Sequence, residues 1–135
     1  MCFLVIDGQG GRLGKLLIEG IREAFPQAEI VAVGTNAIAT ATMLKAGADQ
    51  AATGENPVVV ASRRADVIVG PIGMVIADSL LGEVTAKMAM AVSQSRATRV
   101  LIPMNRCDNL VAGVSIQSVT DLARDAVEKI KEAVC

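Results

Sequence analysis

The sequence predicts a three-layer α/β fold, a mainly parallel sheet of five to six strands with helices on both faces. Three features carry that expectation. Continuous apolar runs such as 2–6 alternate with segments whose apolar residues recur every three or four positions, the patterns of buried parallel strands and of amphipathic helices. The links between them are short. The polar and glycine-rich segments 8–14, 34–36, 54–56, 70–73 and 105–109 each follow an expected strand, so they gather at one edge of the sheet. Ordinary links such as 26–29 and 95–98 meet at the other. Ligands of open α/β sheets bind outside the carboxyl ends of the strands, so function is expected at the glycine-rich edge.

Residues 2–7 read as the first strand, apolar except for Asp7. Leu13, Leu16, Leu17, Ile21, Ala24 and Phe25 then give the first helix a core face, opposite Lys15, Glu19, Arg22 and Glu23, and Pro26 ends it. Residues 29–33 make the second strand, closed by the turn and cap residues Gly34, Thr35 and Asn36. Residues 37–46 are helical by propensity, with Gly47 as the stop, and 49–53 form a short third strand. Asn56 as cap and Pro57 as first helical residue introduce a short helix over 58–64, β-branched enough that packing must hold it. Residues 65–69 are the fourth strand, entering a second glycine-bearing turn at 70–73 and a helix over 74–81 that Gly82 interrupts. Thr85 caps another helix running to about residue 96. Residues 99–104 form the fifth strand and 110–114 a sixth, antiparallel or a bent continuation because its link is too short for a helical crossover. Val119, Leu122, Ala126 and Ile130 mark the last helix, capped by Ser118 or Thr120, with Asp125 and Lys129 paired across one turn. Right-handed crossovers and a chain reversal after the third strand place the first and fourth strands side by side. That is a topological switch point, and it makes the expected architecture Rossmann-like.

The first turn carries the clearest functional signal. Gly8, Gly11 and Gly14 fall at G-x-x-G-x-x-G spacing, while Gly8 and Gly10 open G-x-G-x-x-G, whose last glycine is replaced by Leu13. A strand, a glycine cluster and a helix in that order hold phosphate for a geometric reason. The first helical N–H groups are unpaired, the macrodipole is positive there, and glycine lets the backbone approach an anion. The expected cofactor-binding residues are therefore Gly8, Gln9, Gly10, Gly11, Arg12, Leu13 and Gly14, with the phosphate on the N–H groups of residues 10–14. Thr35, Asn36, Gly70, Pro71, Gly73 and Asn105 join them from other strand ends. The plainer alternative is a tight strand-to-helix turn without a ligand, in which Arg12 is simply solvated. An NAD-binding unit also expects a carboxylate after the second strand to take the ribose hydroxyls. None stands there, which weakens the case for NAD; the alternatives are a ribose hydrogen-bonded by Thr35 and Asn36, or a 2′-phosphate turned to a more distant arginine.

Composition narrows the chemistry. A net charge of −1 and a pI of about 5.4 give no general attraction to nucleic acid or anionic membrane. With no Trp or Tyr, and only Phe3 and Phe25 aromatic, stacking platforms for single strands are lacking. The apolar stretch 67–77 is broken by Gly70, Pro71 and Gly73 and is too short to span a bilayer. No cationic leader precedes the first strand, so export is not expected. Cys2, Cys107 and Cys135 are widely spaced, with no C-x-x-C pair and no histidine, so no metal is expected and a reduced, cytoplasmic compartment follows. The lack of His and Tyr excludes Ser-His-Asp, Cys-His and Tyr-Lys arrangements. Asp7, Glu55, Asp78, Cys107 and Asp108, in or just after strand ends, are the remaining candidates for reactive groups. Each has a structural alternative: Asp7 as acceptor for the turn's N–H groups, Asp78 as a solvated helical charge, Cys107 as an inert thiol between Arg106 and Asp108, whose charges oppose each other.

Two resemblances attach to these residues. Gly8-Gln9-Gly10-Gly11-Arg12-Leu13-Gly14-Lys15 resembles the cofactor turn of dihydrodipicolinate reductase, an NAD(P)H-dependent family whose segment reads G-x-x-G-R-M-G. It is confined to the start of the chain and implies a nucleotide-cofactor turn. The histidine-rich substrate motif of that reductase has no counterpart here. Over the whole chain, Val5-Ile6-Asp7-Gly8-Gln9-Gly10-Gly11, Ala32-Val33-Gly34-Thr35-Asn36, Ala52-Thr53-Gly54-Glu55-Asn56, Gly70-Pro71-Ile72-Gly73 and Ile102-Pro103-Met104-Asn105-Arg106-Cys107 resemble an uncharacterised family of short bacterial proteins, a domain of unknown function. That resemblance implies the fold and a cytoplasmic location, and no reaction.

The expected protein is thus a single cytoplasmic domain over residues 1–135 that binds NAD(P) or another nucleotide. Two alternatives stand beside it: a non-enzymatic sensor or assembly subunit, and a small NAD(P)-dependent oxidoreductase acting as an oligomer. Met88, Ala89, Met90 and Val92 read as packing or dimer surface, which suits a homo-oligomer. Neither nucleic acid nor membrane is an expected partner.

Overall fold

A computed structural model describes residues 1–104, 108–115 and 117–134. Strands β1 (Cys2–Asp7), β2 (Glu29–Gly34), β3 (Gln50–Thr53), β4 (Val67–Pro71) and β5 (Thr98–Ile102) form one sheet in the order β3-β2-β1-β4-β5, and every neighbouring pair is parallel. Between and after them run α1 (Arg12–Ala24), α2 (Ala37–Lys45), α3 (Glu55–Arg64), α4 (Ala86–Ser93) and α5 (Val119–Val134), with a 3-10 turn at Ile72–Val75.

β1 is the middle strand, which explains its unbroken apolar run. Phe3 and Val5 face one layer, Leu4 and Ile6 the other, and none is more than 1% exposed. The first layer packs against α1, α2 and α5 through Leu13, Leu17, Ile21, Met43, Val127 and Ile130. The second packs against α3 and α4 through Val58, Met88 and Val92. Full burial of each large side chain contributes about 1.5–3 kcal/mol, so β1 with its two covered faces anchors the fold. Because the chain reverses after β3, Val5 pairs with Ala32 of β2 on one side and Val69 of β4 on the other. The carboxyl ends of these three strands therefore open onto one edge.

Four local expectations need correction. The helix over 74–81 does not form; after the 3-10 turn the chain makes an irregular loop, 76–84, in which Asp78, Leu80, Leu81 and Gly82 have positive φ. Tertiary fit overrides the helical propensity of this stretch. Ser79 and Val84 are buried, the Ser79 hydroxyl donates to the Gly73 carbonyl, and Asp78 N–H donates to the Val84 carbonyl at 2.7 Å. The described residues of 110–114 form no strand: Leu110 is 96% exposed, and with no face to bury an apolar run does not pair. Helix α3 begins at Glu55 with Gly54 as its N-cap, so Asn56 is inside the first turn, where Pro57 lacks only an N–H that would be unpaired anyway. Helix α4 is capped by Thr85 as expected but ends at Ser93. At the last helix Ser118 is the cap, its Oγ accepting from Asp121 N–H at 3.1 Å, and Asp125 pairs with Lys129 at 3.7 Å.

Candidate functional site

The chain leaves β1 at Asp7 and turns through residues 8–11 into α1, with Gly11 N–H donating to the Gly8 carbonyl at 3.0 Å. Gly11 is the N-cap, at φ 80° and ψ 13°, a left-handed conformation that suits glycine. The Asp7 carboxylate is enclosed by the turn. Its Oδ1 accepts from Gly8 N–H at 2.8 Å and its Oδ2 from Gly14 N–H at 2.7 Å, and the Leu13 amide also points to it. Burial pushes the Asp7 carboxyl above its ordinary pKa, and the three amides pull the other way without cancelling the shift. Asp7 is thus the acceptor that organises the turn. Of the amides expected to hold phosphate, those of Gly11, Leu13 and Gly14 have partners inside the protein. Those of Gly10 and Arg12 have no acceptor among the described residues.

The four glycines divide in the same way. A Cβ on Gly8 would lie 2.6 Å from Leu80 Cδ1 and 2.6 Å from Thr35 Oγ1; on Gly11, 2.9 Å from the Ala39 carbonyl oxygen; on Gly14, against the Met43 side chain. Nothing lies within 4 Å of one on Gly10. Close packing among β1, α1, α2 and the loop 76–84 requires the other three to be small. Gly10 presents open backbone beside the exposed Arg12.

Thr35 and Asn36 sit at the end of β2 beside this turn and are already engaged. Asn36 Nδ2 donates to the Gln9 carbonyl at 3.0 Å, and Asn36 Oδ1 caps α2 by accepting from Ala39 N–H at 2.9 Å. Both residues also reach Glu83, a side chain that the sequence reading missed: Oε1 accepts from Thr35 Oγ1 at 2.6 Å and from Asn36 Nδ2 at 3.2 Å. Leu80, also missed, covers Gly8. Neither had a local signal: Leu80 falls in the expected helix over 74–81 and Glu83 in the link after Gly82, and only the folded loop carries them to the turn. Gly70, Pro71 and Gly73 support that loop: a Cβ on Gly70 would meet the Ile6 carbonyl, Pro71 is buried at the end of β4, and the Gly73 carbonyl holds Ser79. Asn105 and Cys107 lie outside the described residues.

The remaining acidic candidates are dispersed. Glu55 Oε1 accepts from Thr85 Oγ1 at 2.6 Å and ties the start of α3 to the cap of α4. Asp78 is an exposed loop residue and not a helical charge, and Asp108 is exposed at φ 65°. Of the expected packing or dimer residues, Met88, Ala89 and Val92 are in the core, while Met90 is on the surface. No group of three or more His, Cys, Asp or Glu among the described residues could hold a metal ion, and no described helix is long and apolar enough to cross a membrane.

Fold and site define a doubly wound, Rossmann-like α/β domain whose glycine-bearing turn lies at the switch point between β1 and β4. The chain belongs to the family described as a domain of unknown function, DUF3842, whose model matches residues 2–135. No curated protein matches it. Among solved structures it is similar to a dodecameric FMN-dependent UbiX-like decarboxylase from Escherichia coli O157:H7. The TM-score is 0.46 and the sequence identity 16%, with 97% of this chain and 93% of that chain covered.

Proposed function

We propose that this protein is a cytoplasmic nucleotide- or dinucleotide-binding protein that holds a phosphate on the amides of Gly10 and Arg12, with the Arg12 guanidinium beside it. One observation carries the reading: these two amides have no acceptor among the described residues, next to the open face of Gly10. They stand at the start of a 13-residue helix whose first turn holds no acidic residue, so the helix dipole adds to their attraction for an anion. The turn recognises the phosphate that NAD(P), flavin mononucleotide and simple nucleotides share. Three cysteines without a paired motif favour a reducing compartment.

The test is a melting-temperature screen of the parent protein against a nucleotide panel, repeated with Gly10→Val. A ligand at about a hundred times its Kd stabilises the native state by about 2.7 kcal/mol, which a melting curve resolves. The expected result is a shift in the parent and none in Gly10→Val, which stays folded because no atom lies within 4 Å of the added Cβ. Equal shifts in both proteins would place the ligand elsewhere, and no shift in the parent would reject the reading.

A further inference from the structure

We propose that Glu83 supplies the ribose-binding carboxylate that the end of β2 lacks, and that it makes the site select nucleotides with a free 2′-hydroxyl over those with a 2′-phosphate. The inference rests on the nucleotide reading above. In doubly wound dinucleotide-binding domains a carboxylate at the end of the second strand accepts the ribose hydroxyls. Here the chain has Thr35 and Asn36 at that place. The loop 76–84 brings a carboxylate to it from 47 residues beyond Asn36. Glu83 Oε1 is held by Thr35 Oγ1 at 2.6 Å and Asn36 Nδ2 at 3.2 Å, and it lies 3.8 Å from where a Cβ would stand on Gly8. The carboxylate is therefore positioned between the glycine turn and the N-terminus of α2, beside the proposed phosphate position.

Its remaining capacity fits a diol. Both contacts use Oε1; among the described residues nothing donates to Oε2, and no Lys or Arg pairs with Glu83. An ionised acceptor with a free oxygen forms a charge-assisted hydrogen bond with a ribose hydroxyl. A 2′-phosphate in the same place would meet a like charge, and no Lys or Arg among the described residues pairs with Glu83 to offset it. The loop that presents Glu83 holds Asp78, Leu80 and Leu81 in left-handed backbone. Such conformations persist where the surroundings over-determine them, and they cluster at ligand clamps and active sites.

The experiment is isothermal titration of the parent, Glu83→Gln and Gly10→Val with flavin mononucleotide and with two probe pairs, NAD against NADP and AMP against 2′-deoxy-AMP. The parent is expected to bind the 2′-hydroxyl member of each pair about tenfold more tightly, the effect of one hydrogen bond to a charged group. Glu83→Gln should erase most of that preference, weakening AMP more than 2′-deoxy-AMP, which offers the side chain only its 3′-hydroxyl. Thr35→Val, which removes the 2.6 Å anchor but keeps the carboxylate, should weaken the preference in the same direction. Binding of both members alike by the parent, or a preference that survives Glu83→Gln, overturns the role of Glu83 while the phosphate site stands. So does binding of flavin mononucleotide with neither pair bound. Absence of any binding by the parent, or binding that Gly10→Val leaves intact, overturns the phosphate reading and this inference with it.

Discussion

Gly10 and Gly11 are adjacent, yet substituting them should have opposite consequences. Gly11 is at φ 80°, where an alanine costs roughly 1–2 kcal/mol in backbone energy alone. Its new Cβ would also lie 2.9 Å from the Ala39 carbonyl oxygen, 3.0 Å from Ala39 Cα and 3.0 Å from Thr42 Cβ. The first two atoms are backbone of α2 and cannot rotate away, so the overlap adds about 1–3 kcal/mol, typical of overpacking. Gly11→Ala should therefore lose about 2–5 kcal/mol, a large part of the 5–15 kcal/mol of a typical domain. Gly10→Ala places its methyl in open space and should change stability by no more than about 0.5 kcal/mol. Urea unfolding followed by circular dichroism separates them: with a slope of about 1–3 kcal/mol per molar, the midpoint of Gly11→Ala should fall by about 1 M or more. Equal midpoints for the two variants would refute the claim that α1 and α2 approach closely at Gly11. They would also remove the reason for assigning one glycine to packing and its neighbour to a ligand.

Two further predictions concern pH. Burial raises the Asp7 carboxyl above its ordinary value of 3.8, so the native state keeps a proton that the unfolded chain has released. Stability should fall as pH rises from 3.8 through the raised native value. Asp7→Asn should remove that slope in a series of urea midpoints, and a slope unchanged by the substitution would contradict the assignment. Asp49 behaves in the opposite sense: Ile30 N–H at 2.8 Å and Arg22 at 2.9 Å favour its ionised form and hold its pKa down. That contribution is present above 3.8 and lost as pH falls through the lowered native value. Asp49→Asn should be less stable than the parent near neutrality, with the difference shrinking in acid. A constant difference would mean that the ion pair is structural in packing only.

Period and punctuation were enough for most of the fold. A strand covered on both faces is apolar throughout, and β1 is covered on both faces, so residues 2–7 were legible. The stripe of Leu13, Leu17 and Ile21, and the cap residues Asn36 and Thr85, likewise report local rules that their neighbours do not alter. The reading failed where local propensity and tertiary fit diverge. Residues 74–81 have helical composition, but burial of Ser79 and Val84 and the turn bonds of Asp78 and Gly82 hold a loop. Residues 110–114 have strand composition and no face to bury.

Within the site the division is similar. The order of apolar run, glycines and periodic segment is enough to set a glycine-bearing strand-to-helix turn at the carboxyl edge of a parallel sheet, because it allows little else. The sequence also determined that no carboxylate follows β2 in the chain. Which glycines serve packing is settled by the folded chain, since the contacts at Gly8, Gly11 and Gly14 come from Leu80 of the loop 76–84 and from Ala39 and Met43 of α2. And only the tertiary structure delivered Glu83 to Thr35 and Asn36. The spacing of residues along a strand or a helix is set by the backbone and can be read in one dimension. The meeting of two loops depends on the whole sheet that carries them, and no stretch of either loop encodes it.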